Sequence, residues 1–92
     1  MSDMLQENWR PSDDAIANPV GEETVILHLG NGTYYGLDTI GSILWEGLKA
    51  GQRPSEVCER ILEEFEVERE TLENDLRGFL SELAENELVV RA

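Results

Sequence analysis

The run from Val25 to Leu48 leaves the fold little freedom. It reads Val-Ile-Leu-His-Leu, Gly-Asn-Gly-Thr, Tyr-Tyr-Gly-Leu, then Asp-Thr-Ile-Gly-Ser-Ile-Leu-Trp-Glu-Gly-Leu. That order predicts a strand, a tight turn, a second strand and a capped helix, with almost nothing between them. Two short antiparallel strands cannot bury a core alone, so they need a third strand and a helical layer.

Glu23 to Leu29 alternates, with Val25, Leu27 and Leu29 on one face and Thr24, Ile26 and His28 on the other. Gly30-Asn31-Gly32 supplies residues that tolerate positive φ in a hairpin loop. Thr33 to Leu37 returns, rich in β-formers. Upstream, Asp14 to Val20 predicts a weaker strand. Pro19 cannot donate to a ladder, so this strand belongs at a sheet edge. Three strands with short loops make an antiparallel meander with Glu23–Leu29 in the middle.

Three helical patterns follow. Asp38 is an N-cap for a helix with Ile40, Leu44, Trp45 and Leu48 on one side, and Gly51 closes it. Pro54 opens a second helix with an apolar stripe of Val57, Ile61, Leu62 and Phe65. The third spans Glu68 to Asn86, with Leu72, Leu76, Phe79, Leu80 and Leu83 spaced by three and four. Leu88-Val89-Val90 adds a short extended tail. The fold class is α+β: a three-stranded antiparallel sheet followed by a three-helix, winged-helix-turn-helix-like bundle. Residues 1–13 read as a flexible N-terminal arm, with Trp9 packing against the sheet, and 14–92 as one domain.

The 92 residues carry 20 acidic and seven basic side chains, a net charge of −13. Such a chain repels phosphate backbones, which argues against a winged-helix DNA binder. The charge has two readings: solubility alone, or attraction of a cationic peptide or protein surface. No apolar run approaches the roughly 20 residues of a membrane span. Met1 to Asp14 lacks an apolar signal-like stretch, so a cytoplasmic location is expected.

Catalytic chemistry is sparse. Cys58 is the one cysteine and His28 the one histidine, which leaves no usual zinc set, and no cofactor is expected. His28 has no evident partner for general-base work. Cys58 sits beside a core stripe with no Lys or His to activate it. Ser42 in Ile40-Gly41-Ser42-Ile43 differs from a carrier-protein attachment serine, because Gly41 stands where the aspartate belongs and strands come first.

The remaining feature is an edge. Pro19 guards one outer strand, whereas Thr33-Tyr34-Tyr35-Gly36-Leu37 has neither proline nor charge. Either the fold covers that edge or it stays open to a peptide strand, with backbone hydrogen bonds for affinity and side-chain pockets for selectivity. Tyr34 and Tyr35 point to opposite faces, one toward the core and one free.

At these residues the chain resembles the PqqD-like family, whose modules are RiPP recognition elements. The shared pattern is the apolar strand, the glycine turn, Tyr34-Tyr35-Gly36-Leu37, Asp38, Gly41, Leu44-Trp45 and Leu48. Val57, Ile61, Phe65, Asp75, Phe79-Leu80, Leu83 and Leu88-Val89 continue it, so the resemblance spans about Asp14 to Val90. Asn86-Glu87 departs from it, since relatives commonly have a glycine before the final apolar pair. The resemblance implies a non-catalytic adaptor that takes the leader of a ribosomal precursor peptide as a fourth strand. The leader would lie between Thr33, Tyr34, Tyr35, Gly36 and Leu37 on the strand and Leu72, Asp75, Leu76 and Phe79 on the third helix. Members of the quinone-cofactor branch carry Cys-Asp-Gly after the first helix, where this chain has Leu48-Lys49-Ala50-Gly51. The Tyr-Tyr-Gly-Leu form is more similar to free-standing lasso-peptide leader-binding proteins. Their partners are a separate leader peptidase and an ATP-dependent macrocyclase. A peptide chaperone for a radical SAM enzyme, or an acidic winged-helix regulator or DNA mimic, are the alternatives.

Overall fold

The computed structural model describes residues 3–92. The chain runs through β1 (Trp9–Pro11), β2 (Ala15–Val20), β3 (Glu23–His28), β4 (Tyr34–Leu37), α1 (Thr39–Lys49), α2 (Pro54–Glu64), α3 (Arg69–Glu85) and β5 (Val89–Arg91). Strands β2, β3 and β4 form the expected antiparallel meander with β3 in the centre. A second, two-stranded ribbon pairs β1 with β5.

That ribbon differs from the sequence reading of residues 1–13 as a flexible arm. Met1 and Ser2 lie outside the described residues. From Asp3 onward the segment is seated: a 3-10 turn at Met4–Gln6 buries Leu5, and Trp9 is buried in β1. The Trp9 indole donates to the Met4 carbonyl at 3.0 Å, and the Arg91 guanidinium stands 5.6 Å from its ring centroid. Arg77 on α3 grips the Asp3 carboxylate with bonds of 3.2 and 2.7 Å. The short tail expected at the C-terminus is β5, starting at Val89 rather than Leu88.

The sheet turns Thr24, Ile26, His28 and Leu37 toward the helices, and all four are buried. Register explains the set. Ile26 stands opposite Tyr35 and Thr24 opposite Leu37, so these side chains share a face. His28 closes the turn that follows: its Nδ1 accepts from the Gly30 amide at 3.0 Å. A structural role thus accounts for the one histidine.

Asp38 caps α1 by accepting from the Gly41 amide at 2.9 Å. Leu44, Trp45 and Leu48 then meet Val57, Cys58 and Ile61 of α2 and Leu72, Leu76, Leu80 and Leu83 of α3 in one core. The helices come close because Gly47 has no side chain; a Cβ there would run into Val57 Cγ2. Phe65 departs from the expected stripe. It follows the last turn of α2 as its C-cap, in extended backbone, and is 37% exposed. Cys58 is buried, and burial first, then the nearby Glu73 carboxylate, push its thiol pKa up, which makes it a poor nucleophile.

Candidate functional site

The two edges of the meander are not equivalent. The His28 amide donates to the Thr33 carbonyl at 2.9 Å, which fixes the phase of the β3–β4 ladder. Hydrogen-bonded pairs alternate along an antiparallel ladder. Ile26–Tyr35 and Thr24–Leu37 are therefore the bonded pairs, and the amides and carbonyls of Tyr34 and Gly36 point to the vacant side of β4. On the opposite edge, the Leu29 amide donates to the Asp14 carbonyl at 2.8 Å. The same alternation turns Ala15, Ala17 and Pro19 outward on β2. Pro19 sits at an outward position where a donor is missing, so it blunts that edge. No described strand pairs with the outer side of β4.

Thr33 differs from the expectation that it belongs to this edge. Its carbonyl is taken by His28, and its amide donates to Asn31 Oδ1 at 2.9 Å, so it belongs to the turn. Leu37 is 1% exposed and contributes to the core rather than to a ligand surface. Tyr34 stands on the outer face and is 69% exposed. Tyr35 lies on the helix side, half-buried, and its hydroxyl donates to the Glu82 carboxylate of α3. Burial first, and then Glu82, push the Tyr35 phenol well above its ordinary pKa, so it stays a donor across the neutral range.

Between α3 and the start of α1 lies a cleft of about 310 Å³, lined by Asp38, Ile40, Asn74, Asp75, Gly78, Phe79 and Glu82. Asp38 directly follows β4 and Glu82 holds Tyr35, so the cleft continues the open edge. Its floor is apolar, from Ile40 and Phe79, and its rim is acidic, from Asp38, Asp75 and Glu82, with no cation among the lining residues. Such a site suits an extended peptide carrying an apolar anchor and a basic or amide group. Gly41 helps to shape it: a Cβ there would press on Phe79 Cε1 and Leu37 Cδ2, both 3.1 Å away.

Of the α3 residues expected beside the edge, Asp75 and Phe79 line this cleft. Leu72 and Leu76 do not; they are 2% and 0% exposed and face the core. The helical arc is the reason. Leu72, Leu76, Leu80 and Leu83 form the inward stripe, and the cleft uses the next row round the helix. Asp75 and Phe79 belong to that row; Asn74, Gly78 and Glu82, spaced by four, lie further round toward solvent and also line the cleft, as do Asp38 and Ile40, none of which is among the site residues expected from the sequence. The signal for them was the same periodicity shifted by two residues. Ser42 is buried, with its hydroxyl 3.5 Å from the Leu37 carbonyl, a packing role. A larger hollow of about 450 Å³ lies between α1 and α2, with Glu22 from the β2–β3 turn. Neither hollow is lined by a β4 residue, but the smaller one adjoins the strand through Asp38, which follows it, and through Glu82, which accepts from Tyr35.

Residues 23–89 match the family model described as coenzyme PQQ synthesis protein D (PqqD). The chain is 45% identical to a solved structure of TbiB1 in complex with the TbiA(beta) leader peptide. The match covers 87% of this chain and 93% of that one, with a TM-score of 0.80. It is 24% identical to lasso peptide synthetase B1 complexed with the leader peptide, over 90% of this chain and 98% of that one, with a TM-score of 0.81. This second likeness is one of fold. The search of curated proteins found no match.

Proposed function

Because the chain belongs to the PqqD family, whose peptide-binding modules are RiPP recognition elements, we propose that it is a leader-binding adaptor with no catalytic step of its own. It takes the leader of a ribosomal precursor peptide as a fourth strand on β4 and presents the attached core peptide to processing enzymes. The observation that carries this reading is the unpaired outer side of β4, with the outward groups of Tyr34 and Gly36 beside an acid-rimmed cleft. The leader-bound state of the 45% identical TbiB1 supports the same class of ligand.

In this reading Tyr34 and Gly36 supply the backbone bonds, Phe79 and Ile40 the apolar floor, and Asp75 and Glu82 the acceptors for a leader cation or amide. Holding the leader raises the effective concentration of the core peptide at the catalyst, with no bond made or broken by the adaptor. The charge of −13 speeds encounter with a cationic partner. Within the family we assign the chain to the lasso-peptide branch, acting with a separate leader peptidase and an ATP-dependent macrocyclase. The support is the Tyr34-Tyr35-Gly36-Leu37 form and the absence of Cys-Asp-Gly at Leu48-Lys49-Ala50-Gly51.

The test is amide hydrogen exchange with and without a saturating synthetic leader. Protection should appear at Tyr34 and Gly36 and not at Ala17 on the opposite edge. A bound leader that leaves the Tyr34 and Gly36 amides exchanging at their free rate excludes strand addition on β4.

A further inference from the structure

We propose that the larger hollow, between α1 and α2, is a second subsite for the guest peptide. It takes a lysine or arginine from the stretch that runs on past the Leu37 end of β4. This subsite rests on the adaptor reading, which supplies the guest strand, and extends it beyond the edge and the smaller cleft.

The two hollows meet at the start of α1. Asp38 lines the smaller one, and Thr39, the next residue, lines the larger. Register places another wall of the larger hollow at the same end of the sheet. Thr24 stands opposite Leu37, so Glu22 in the β2–β3 turn lies just beyond the point where β4 stops. A peptide that leaves the β4 edge at this end crosses the first turn of α1 and comes to the larger hollow. A helix is about 10 Å across and extended chain covers about 3.5 Å per residue, so about three or four residues make the crossing.

The lining selects the side chain. Ile43 and Ile61 are apolar, and Glu22, Glu46 and Glu64 stand around them. A lysine or arginine fits that pattern, with its methylene stem on the apolar wall and its charged head at the carboxylates. Glu46 shares its charge with Lys49 at 3.5 Å, whereas the Glu22 and Glu64 carboxylates have no partner among the described residues. Arg60 is the one cation in the lining. Its Nη2 lies 3.5 Å from where a Cβ on Gly47 would stand. Gly47 is about 12 Å along α1 from Thr39, so the Thr39 end is left to the acids. A buried hydroxyl is the second sign of a ligand. Ser42 lines the hollow and is 9% exposed. Its hydroxyl has one acceptor, the Leu37 carbonyl at 3.5 Å, and no described group donates to it. Buried polar groups are ordinarily satisfied, and a guest ammonium or guanidinium supplies the missing donor.

Isoleucine methyl NMR on the full chain tests this with a synthetic leader. Ile40 reports the smaller cleft, Ile43 and Ile61 the larger hollow, and Ile16 on the outer face is the control. The leader should shift Ile40, Ile43 and Ile61 along one saturation curve and leave Ile16 in place. Trimming it from the end that passes Asp38 should abolish the Ile43 and Ile61 shifts before the Ile40 shift. Titration calorimetry then compares two variants with the same change of charge. Glu22→Gln with Glu64→Gln should weaken the full leader by about three- to tenfold and the trimmed one by less than about twofold. Glu63→Gln with Glu66→Gln, exposed residues outside the lining, should change either by less than about twofold. Ile43 and Ile61 methyls that stay in place while Ile40 saturates overturn the second subsite, as do shifts at all three that survive every trimming. Equal losses from both variant pairs overturn it too, by assigning the effect to the overall charge of −13. A leader that moves none of these methyls and leaves the Tyr34 and Gly36 amides unprotected overturns the adaptor reading, and the second subsite with it.

Discussion

The Tyr35 hydroxyl on β4 donates to the Glu82 carboxylate on α3, joining elements 47 residues apart in sequence. The bond ties the open strand to a residue that lines the acid-rimmed cleft. It is partly exposed, so Tyr35→Phe should cost no more than about 1 kcal/mol of stability. Its pH signature is more specific. The folded phenol pKa is raised above the unfolded value. The associated stability is therefore complete below about pH 10 and is lost as pH rises further. Thermal melts from pH 8 to 11 should show a steeper alkaline decline in the parent than in Tyr35→Phe. Parallel curves would mean that the hydroxyl is not coupled to the fold.

The phase of the β3–β4 ladder separates two proline substitutions that sequence alone treats alike. Tyr35→Pro removes a donor that faces β3, so it should lower stability and leader binding together. Gly36→Pro removes a donor that faces the vacant side. A side chain at Gly36 meets nothing within 4 Å, so its melting temperature should stay closer to that of the parent. Leader affinity should fall by about tenfold or more, that is, by at least about 1.4 kcal/mol. Titration calorimetry beside thermal melts separates the two effects. A Gly36→Pro variant that binds like the parent would place the leader elsewhere.

Much of this was legible because the determining signals are local. The alternation of Glu23–Leu29, the Gly30–Gly32 turn and the Asp38 cap each act within a few residues, and they place β3, β4 and α1 to within a residue. The β1–β5 ribbon was hidden for the opposite reason. Its strands are three residues each and pair the two ends of the chain, Trp9 with Arg91, which no local pattern announces. Alternation also left open which face of β3 is buried, since Ile26 and Leu27 are equally apolar. Leu37 and Tyr35 on the next strand settle it. On α3, periodicity identified the inward leucines but not which flank borders β4. Periodicity alone therefore does not separate Leu72 and Leu76, which are buried, from Asn74, Gly78 and Glu82, which line the cleft.

The seating of the N-terminal segment on α3 should be acid-sensitive. The hydrogen bonds from Arg77, and then from the Leu5 amide, hold the Asp3 carboxyl below its ordinary pKa. A lowered folded pKa means that the contribution is complete above about pH 3.9, the unfolded value. It is lost as pH falls through the lower, folded value. Asp3→Asn should therefore melt below the parent at pH 7 and 5, with the gap closing toward pH 3. A gap that persists unchanged at low pH would assign the effect to packing of the 3-10 turn instead.

Glu87 is the one non-glycine with positive φ among the described residues, at 58°. It occupies the left-handed position of a Schellman turn that ends α3. The Leu88 amide donates to the Leu83 carbonyl at 2.8 Å, and the Glu87 amide to the Ala84 carbonyl at 3.1 Å. Leu83 and Leu88 are both fully buried, which locks the turn and forces the strained backbone on whatever residue stands between. An L-residue in this region costs about 1–2 kcal/mol. Glycine escapes that cost but loses roughly 0.5–1 kcal/mol through its more flexible unfolded state. The difference favours glycine, so Glu87→Gly should stabilise the domain by about 0.5–1 kcal/mol. For a chain of this size that is a rise of roughly 2–8 °C in melting temperature. Glu87→Val should lower it, because a β-branched side chain tolerates positive φ least. If glycine and valine shift the melt in the same direction, charge removal rather than backbone strain is what position 87 responds to.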